Sequence, residues 1–440
     1  MMLKTTDYRY PFLHPFTFMP PIAQQVQSPF ISLVKGEGPW IYDQDGNKYM
    51  YLTTAVPSIG LGNSRVIERI HEQYLRMSYA STCEQTHPIA AKLAERLLSI
   101  AGEPMSMAFF TTDGSGAVET AMKLARQYFI SLQQPERTKF ISVQGNYHGT
   151  TLGSGSVTQL GIQSSFGPGL QGCYSIPSPY PYHHISDSAD ELVAGSLHSL
   201  RSIIHEQGPE KIAACVVELV QGVNGAVPMP KSFIKELGEL SRKHEILLIV
   251  DEVTTGLGRT GSWLASHEYE IEPDMLILSK GLTGGYFPMG ATLFSKKVSS
   301  QLFDGGGIFL HGSTQNGHPI GCEAALAVLD IIEEEGLVNN SQTVGAQIMD
   351  ELRSALAGHP NVADIRGAGL MIGIEFKDTQ EGKSSGLSLE WGGRLSTNLR
   401  NEGILANFFN GTLIIYPPLN ISQDEAEFIW RGIINAVKAM

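Results

Sequence analysis

Residues 246–280 read ILLIVDEVTTGLGRTGSWLASHEYEIEPDMLILSK. The runs ILLIV and MLIL are short, apolar and rich in branched side chains, which suits strands buried on both faces. The first runs into Asp251-Glu252 and the second into Ser279-Lys280. An acidic pair that closes an apolar strand is costly unless its carboxylates find partners. Asp251 can pair with a protonated ring nitrogen; a helix cap or a buried salt bridge is the alternative. Lysine is seldom fully buried, so Lys280 makes sense if its amine is used covalently or loses proton affinity by burial. A lysine that reaches out to solvent is the other reading.

The same pattern extends on both sides. AFFTT (108–112), KFISV (139–143) and ACVVELV (214–220) are further short apolar runs. Helical spacing in AVETAMKLARQYF (117–129) and SFIKELGELSRKHE (232–245) falls between them. Strands alternating with helices predict an α/β fold, with a parallel sheet covered by helices. Upstream, SLVKGEGPWIYDQDGNKYMY (32–51) predicts a β-meander, and VIERIHEQYLRM and PIAAKLAERLLSI predict helices. The Pro- and aromatic-rich start reads as an extended arm, and EGKSSG (381–386) as a short loop. After about His311 the pattern changes. A long helix is expected near Pro319, then IRGAGLMIGIEF, a helix and TLIIYPPL form a smaller α+β unit. The expected organisation is an arm and part of the small domain at 1–60, a large domain at 61–325 and a C-terminal small domain at 326–440.

In open α/β sheets, ligands sit beyond the carboxyl ends of the strands. After AFFTT come Asp113-Gly114-Ser115-Gly116, with a helix expected from Ala117. Glycines at a helix N-terminus expose N–H groups to an anion, so Gly114, Ser115 and Gly116 are candidates to cradle a phosphate. An ordinary tight turn with Ser115 as N-cap is the alternative. After KFISV come Tyr147 and His148, where an aromatic ring can stack on a flat cofactor or serve structure alone. A phosphate cradle, a stacking aromatic, an acid and a lysine thus follow successive core strands. Pyridoxal 5′-phosphate (PLP) needs those four things: a lysine for the Schiff base, an acid to keep the ring nitrogen protonated, a stacking wall and a phosphate anchor.

Composition narrows the classes. The chain has 440 residues, 42% of them hydrophobic, a formal net charge of −13 and 17% charged residues. An acidic, weakly charged chain suits neither nucleic acid nor an anionic membrane surface. Cys83, Cys173, Cys215 and Cys322 are scattered, with no ligand spacing for a metal, which points to a reducing compartment. No run is long enough to span a bilayer and the N-terminus has no apolar core of a signal peptide. The expectation is a soluble, cytoplasmic protein that binds no metal, nucleic acid or membrane.

The sequence resembles the class III (ω-amino acid type) aminotransferases of PLP fold type I, from HPFTFMP (14–20) to LIIYPPL (413–419). Its sharpest part is IVDEVTTGLGRTG (249–261) followed by ILSKGLTGGYFPMGA (277–291); NYHGTT, HGSTQNGHPIGCEAAL and IRGAGLMIGIEF match further signatures. The resemblance implies a mostly parallel sheet of the seven-stranded type and a small domain built from both chain ends. It implies that Lys280 is the Schiff-base lysine and proton shuttle, and that Asp251 pairs with the pyridine nitrogen. Val253 and Tyr147 sandwich the ring, with His148 beside them, and Gly114, Ser115 and Gly116 bind phosphate. Glu218 matches the family's active-site glutamate, with Leu219 where proline is usual, and Arg259 is structural. Thr314 reaches the phosphate bound by a second subunit, so a homodimer with shared sites is implied. The implied reaction moves an amino group from an amine or amino acid donor to a ketone or aldehyde acceptor in ping-pong fashion. Racemases, mutases and decarboxylases of the same fold share these residues, and a non-catalytic PLP-binding protein is a further alternative.

Three further positions depart from the pattern. Members acting on carboxylates carry an arginine in the C-terminal part, where this chain has Asn407 (GILANFF) and Leu413 (TLIIYPPL). Arginine is the natural bidentate clamp for a carboxylate. Either another residue, for which Arg400 is a candidate, replaces it, or the substrates depend less on such a clamp. Gly116 stands where a larger residue is more usual.

Overall fold

The computed structural model describes residues 12–17, 30–180, 188–377, 387 and 389–440. Most of the N-terminal arm and the EGKSSG loop lie outside the described residues.

The meander forms as expected: β1 (Leu33–Glu37), β2 (Trp40–Asp43) and β3 (Lys48–Tyr51) pair antiparallel. Asp43 closes the turn, its Oδ1 accepting from the Asp45 and Asn47 N–H groups at 3.0 and 2.8 Å. The central sheet takes β4 (Met105–Thr111), β5 (Lys139–Val143), β6 (Cys173–Ile176) and β7 (Ile212–Glu218). After a short hairpin of β8 (Val220–Gln221) and β9 (Val227–Pro228) it adds β10 (Leu247–Asp251), β11 (Met275–Leu278) and β12 (Gly290–Ser295). Its order is β4-β12-β11-β10-β7-β5-β6. Only β12 runs against its neighbours; the other pairings are parallel. Every residue of β7, β10 and β11 is buried, as continuous apolar runs between helical layers require.

The helices follow their apolar spacing. Helix Lys231–Lys243 buries Phe233, Ile234, Leu237 and Ser241 against the sheet and leaves its charged face out. Helix Pro319–Glu334 is buried nearly all round, including Ile320, Leu326, Leu329 and Ile332, and lies against helices Ser64–Arg76 and Pro88–Ala101.

The chain ends build the smaller part together. The hairpin β13 (Val362–Ala368) and β14 (Met371–Phe376) joins β17 (Thr412–Ile415) and β16 (Asn407–Phe409), while β15 (Ile404–Leu405) pairs parallel with β3. Arg259 ties these segments to the central sheet. Its buried guanidinium donates to the carbonyls of Leu370 at 2.9 Å, Pro417, and Ala55 at 3.5 Å.

Two features differ from the sequence reading. Strands β6 and β12, of four and six residues, were not among the expected runs; each follows a glycine-containing loop with no periodicity to mark it. The helix after β4 starts at Gly114 rather than Ala117, and its N-cap is Asp113, which accepts from Gly116 N–H at 2.8 Å. Ser115 is therefore inside the first turn. Among the described residues, no helix is long and apolar enough to cross a membrane, and no group of His, Cys, Asp and Glu could hold a metal ion.

Candidate active site

Since the sheet is parallel apart from β12, the ends of β4, β5, β7, β10 and β11 share one edge. Register fixes their levels: Glu218 of β7 pairs with Asp251 of β10, which pairs with Ile277 of β11. Lys280 follows three residues beyond Ile277. A cavity of about 160 Å³ opens at this edge. Gly114, Ser115 and Gly149 line one side, Tyr147 and Val253 face into it, and Asp251, His148, Ser279 and Lys280 complete it. A larger cavity of about 490 Å³ lies at the opposite edge, by Ile246, Pro273 and Ser295, and holds none of these residues.

Lys280 stands on a single 3₁₀ turn directly after β11, with φ of +40°. That strained backbone turns the side chain back across the sheet edge. Its Nζ donates to Thr254 Oγ1 at 2.5 Å. Burial lowers its proton affinity, while the Glu218 and Asp251 carboxylates oppose this. Lower proton affinity favours the free amine, the nucleophile a carbonyl needs.

Asp251 is 4% exposed, and both its oxygens are engaged. Oδ2 lies 2.8 Å from His148 Nδ1, and Oδ1 accepts from Val253 N–H at 3.0 Å. The histidine is itself fixed: its N–H donates to Thr158 Oγ1 at 2.8 Å, and its Nε2 lies 3.4 Å from Asn146 Nδ2. Glu218 stands behind the cavity wall. Its Oε2 accepts from Tyr147 N–H at 2.7 Å and its Oε1 from Gly222 N–H at 3.0 Å.

The glycine-rich turn fits an anion. A Cβ on Gly114 would come within 3.2 Å of Val253 Cγ2. Gly149 has φ of +115°, and a Cβ there would fall 2.3 Å from Ser115 Oγ. These glycines let the chain close around the start of helix Gly114–Ser131, where N–H groups and the dipole favour a phosphate. An amine, a carboxylate, an aromatic wall and an anion cradle thus meet in one cavity, and this donor set fits PLP.

Gly114, Ser115, Tyr147, His148, Asp251, Val253 and Lys280 come together. Gly116 is set back, its N–H taken by Asp113. Thr314 is exposed, outside the cavity, and its carbonyl accepts from Tyr79 Oη at 3.0 Å. Of the departing positions, Leu413 is buried and Asn407 donates to Thr53 O at 2.7 Å. Arg400 is not brought to the cavity. It is exposed on helix Leu389–Asn401 and bonds Ser396 O of its own helix at 3.2 Å. Sequence reasoning missed Thr254, the partner of Lys280. A hydroxyl three residues past the strand-ending aspartate was its only signal.

The description "aminotransferase class-III" matches residues 22–437 of the chain. The protein belongs to this family. It is 35% identical over 409 residues to the diaminobutyrate–2-oxoglutarate transaminase of Halomonas elongata, covering 90% of this chain and 87% of that one. The adenosylmethionine-8-amino-7-oxononanoate aminotransferase of Staphylococcus aureus is 32% identical over 445 residues, 99% and 97% of the two chains. Among solved structures, a PLP-bound amine transaminase from an uncultivated Pseudomonas species superposes with a TM-score of 0.91 at 34% identity, over 98% and 99% of the chains. The ω-transaminase of Pseudomonas jessenii in complex with PMP does so with 0.91 at 30%, over 97% and 96%. This chain is thus a PLP-dependent class III aminotransferase acting on a small-molecule amino donor and acceptor.

Proposed function

We propose that the cavity between Val253 and Tyr147 binds the cofactor, with Lys280 Nζ as its Schiff-base amine, and that the enzyme deaminates amines without an arginine clamp on a carboxylate. The observation that carries the first part is the convergence of Lys280 and Asp251 from neighbouring strand ends on a cavity that begins at Gly114 and Ser115. When bound, PLP supplies an electron sink for the substrate carbon. Asp251, held by His148 and Val253 N–H, presents its carboxylate to a protonated ring nitrogen. The ring faces of Tyr147 and the methyls of Val253 orient the flat cofactor. Gly114 and Ser115 hold its phosphate, and Glu218 supports the site from behind. With the cofactor bound and the donor in place, the Lys280 amine would take the proton from the amine-bearing carbon and hold it.

The second part rests on charge. Lys280 is the only lysine or arginine lining the cavity among the described residues. Asn407 and Leu413 occupy the places where an arginine was expected, and Arg400 lies elsewhere. Thr314 suits a residue that completes the phosphate site of a second copy, giving a homodimer with shared sites. Ile308 and Leu310, 68% and 80% exposed in the same loop, fit a surface covered by a partner. Four free cysteines fit a cytoplasmic setting. In this reading residues 61–325 form the cofactor-binding domain, and 1–60 with 326–440 the smaller one.

The test is a half-reaction screen in which the PLP form is mixed with simple amines and with amino acids. Conversion to the pyridoxamine form by simple amines, and weak conversion by amino acids, is the expected result. Strong conversion by amino acids alone would overturn the donor reading.

A further inference from the structure

Glu218 and Asp251 are register partners on adjacent strands, and both are buried. Two buried carboxylates this close do not both ionise freely. Asp251 has the His148 ring at 2.8 Å. Glu218 makes no ion pair within 4.0 Å among the described residues; two backbone N–H groups, of Tyr147 and Gly222, are its donors. Burial pushes its carboxyl up to about 7, with His148 opposing and Asp251 adding to the rise. The ionisable groups facing it are Tyr147 and His148 from the loop after β5, Asp251 from β10, Lys280 after β11 and Tyr416 after β17. Arg259 acts on Lys280 and Tyr416 in turn.

We propose that Glu218 is an ionisable positioning residue: as a carboxylate it fixes the main chain that carries the Tyr147 ring, and its charge state sets the proton affinity of Lys280. This rests on the cofactor-site reading above. As an anion, Glu218 accepts both N–H bonds and favours the ammonium form of Lys280. As a neutral acid it keeps one good acceptor oxygen, loosens the seat of Tyr147 and favours the free amine.

The test is a pH titration of the visible absorption of the holoenzyme, compared between wild type, Glu218→Gln and Glu218→Asp. The wild type is expected to show an inflection near pH 7, Glu218→Gln to lose it, and Glu218→Asp to keep it at a shifted midpoint. The same inflection in Glu218→Gln, or an unmoved midpoint in Glu218→Asp, overturns the proposal. Melting of the cofactor-free protein is a second readout. A carboxyl whose folded value lies above the ordinary 4.5 costs stability as pH rises from about 4.5 to about 7. Wild type should therefore lose melting temperature relative to Glu218→Gln across that window. Parallel curves would count against the proposal whatever the cofactor does. Protein that stays colourless with added PLP at every pH sinks the cofactor-site reading instead.

Discussion

Asp251 Oδ2 and His148 Nδ1 lie 2.8 Å apart, with both side chains buried at the carboxyl edge of the sheet. The strand after which His148 comes is separated from that of Asp251 by β7, so the loop after β5 crosses the sheet edge to make the contact. Leaving a buried carboxylate short of a hydrogen-bond partner costs about 1–3 kcal/mol or more. His148→Ala leaves the Asp251 carboxylate with one N–H donor, so the fold should lose stability on that order in chemical denaturation. Asp251→Asn keeps the shape and removes the charge. A loss of about 10²–10³ in half-reaction rate is expected, the scale for removing one group aimed at developing charge. Stopped-flow loss of the PLP absorption measures it, and a loss under tenfold contradicts the role given to Asp251.

Gly149 allows Ser115 and the loop after β5 to meet. With φ of +115° and only 2.3 Å from a built Cβ to Ser115 Oγ, Gly149→Ala must displace one of them. Strain of about 1–3 kcal/mol corresponds to roughly tenfold to hundredfold weaker cofactor binding. Equilibrium titration of the apoprotein with PLP reads this directly. Unchanged affinity would place the phosphate elsewhere.

Lys280 gives a stability effect of opposite pH sense to that of Glu218. Its amine has lowered proton affinity in the fold against an ordinary 10.5. Unfolded chains then bind more protons than folded ones below 10.5, so stability rises with pH toward that value. Lys280→Met removes the titrating group. The melting-temperature gap between Lys280→Met and wild-type apoprotein should shrink over the alkaline range that ends at the ordinary lysine value of 10.5. A constant gap across that range contradicts the buried amine.

Phe16 stands with its ring 6.5 Å from that of Tyr147 at an interplanar angle of 68°, and is 73% exposed. Edge-to-face pairs contribute about 0.5–1.5 kcal/mol. Phe16→Ala is predicted to change KM for bulky amine donors by roughly twofold to tenfold and to leave the melting temperature within about a degree, as exposed positions do. A large drop in melting temperature with no change in KM would make the contact structural.

Much of this was legible because apolar runs and their terminal residues are local signals. ILLIV before Asp251 and MLIL before Lys280 gave strands, order of chemistry and cavity edge at once. The cradle was legible at Gly114 and Ser115, but its cap was not. Asp113 and Ser115 are both good N-caps, and only the backbone shows that Asp113 takes the role and sets Gly116 back. Strand β12 escaped because GATLFS follows a glycine-rich loop and pairs antiparallel with β11 just before it and with β4 far back in the sequence. Thr254 and the Glu218–Tyr147 bond escaped for a related reason. Both are contacts between segments 26 and 71 residues apart, which no local pattern records. Arg400 lies exposed on helix Leu389–Asn401, away from the cavity, which its place in the sequence did not show.

The proposed chemistry turns on Lys280. Borohydride reduction of the PLP-loaded protein fixes the cofactor to whichever amine holds it, and peptide mass spectrometry locates that amine. One phosphopyridoxyl group is expected, on Lys280, and none after Lys280→Ala. Label on another lysine in the wild type, or no label in protein that retains its colour, would contradict it.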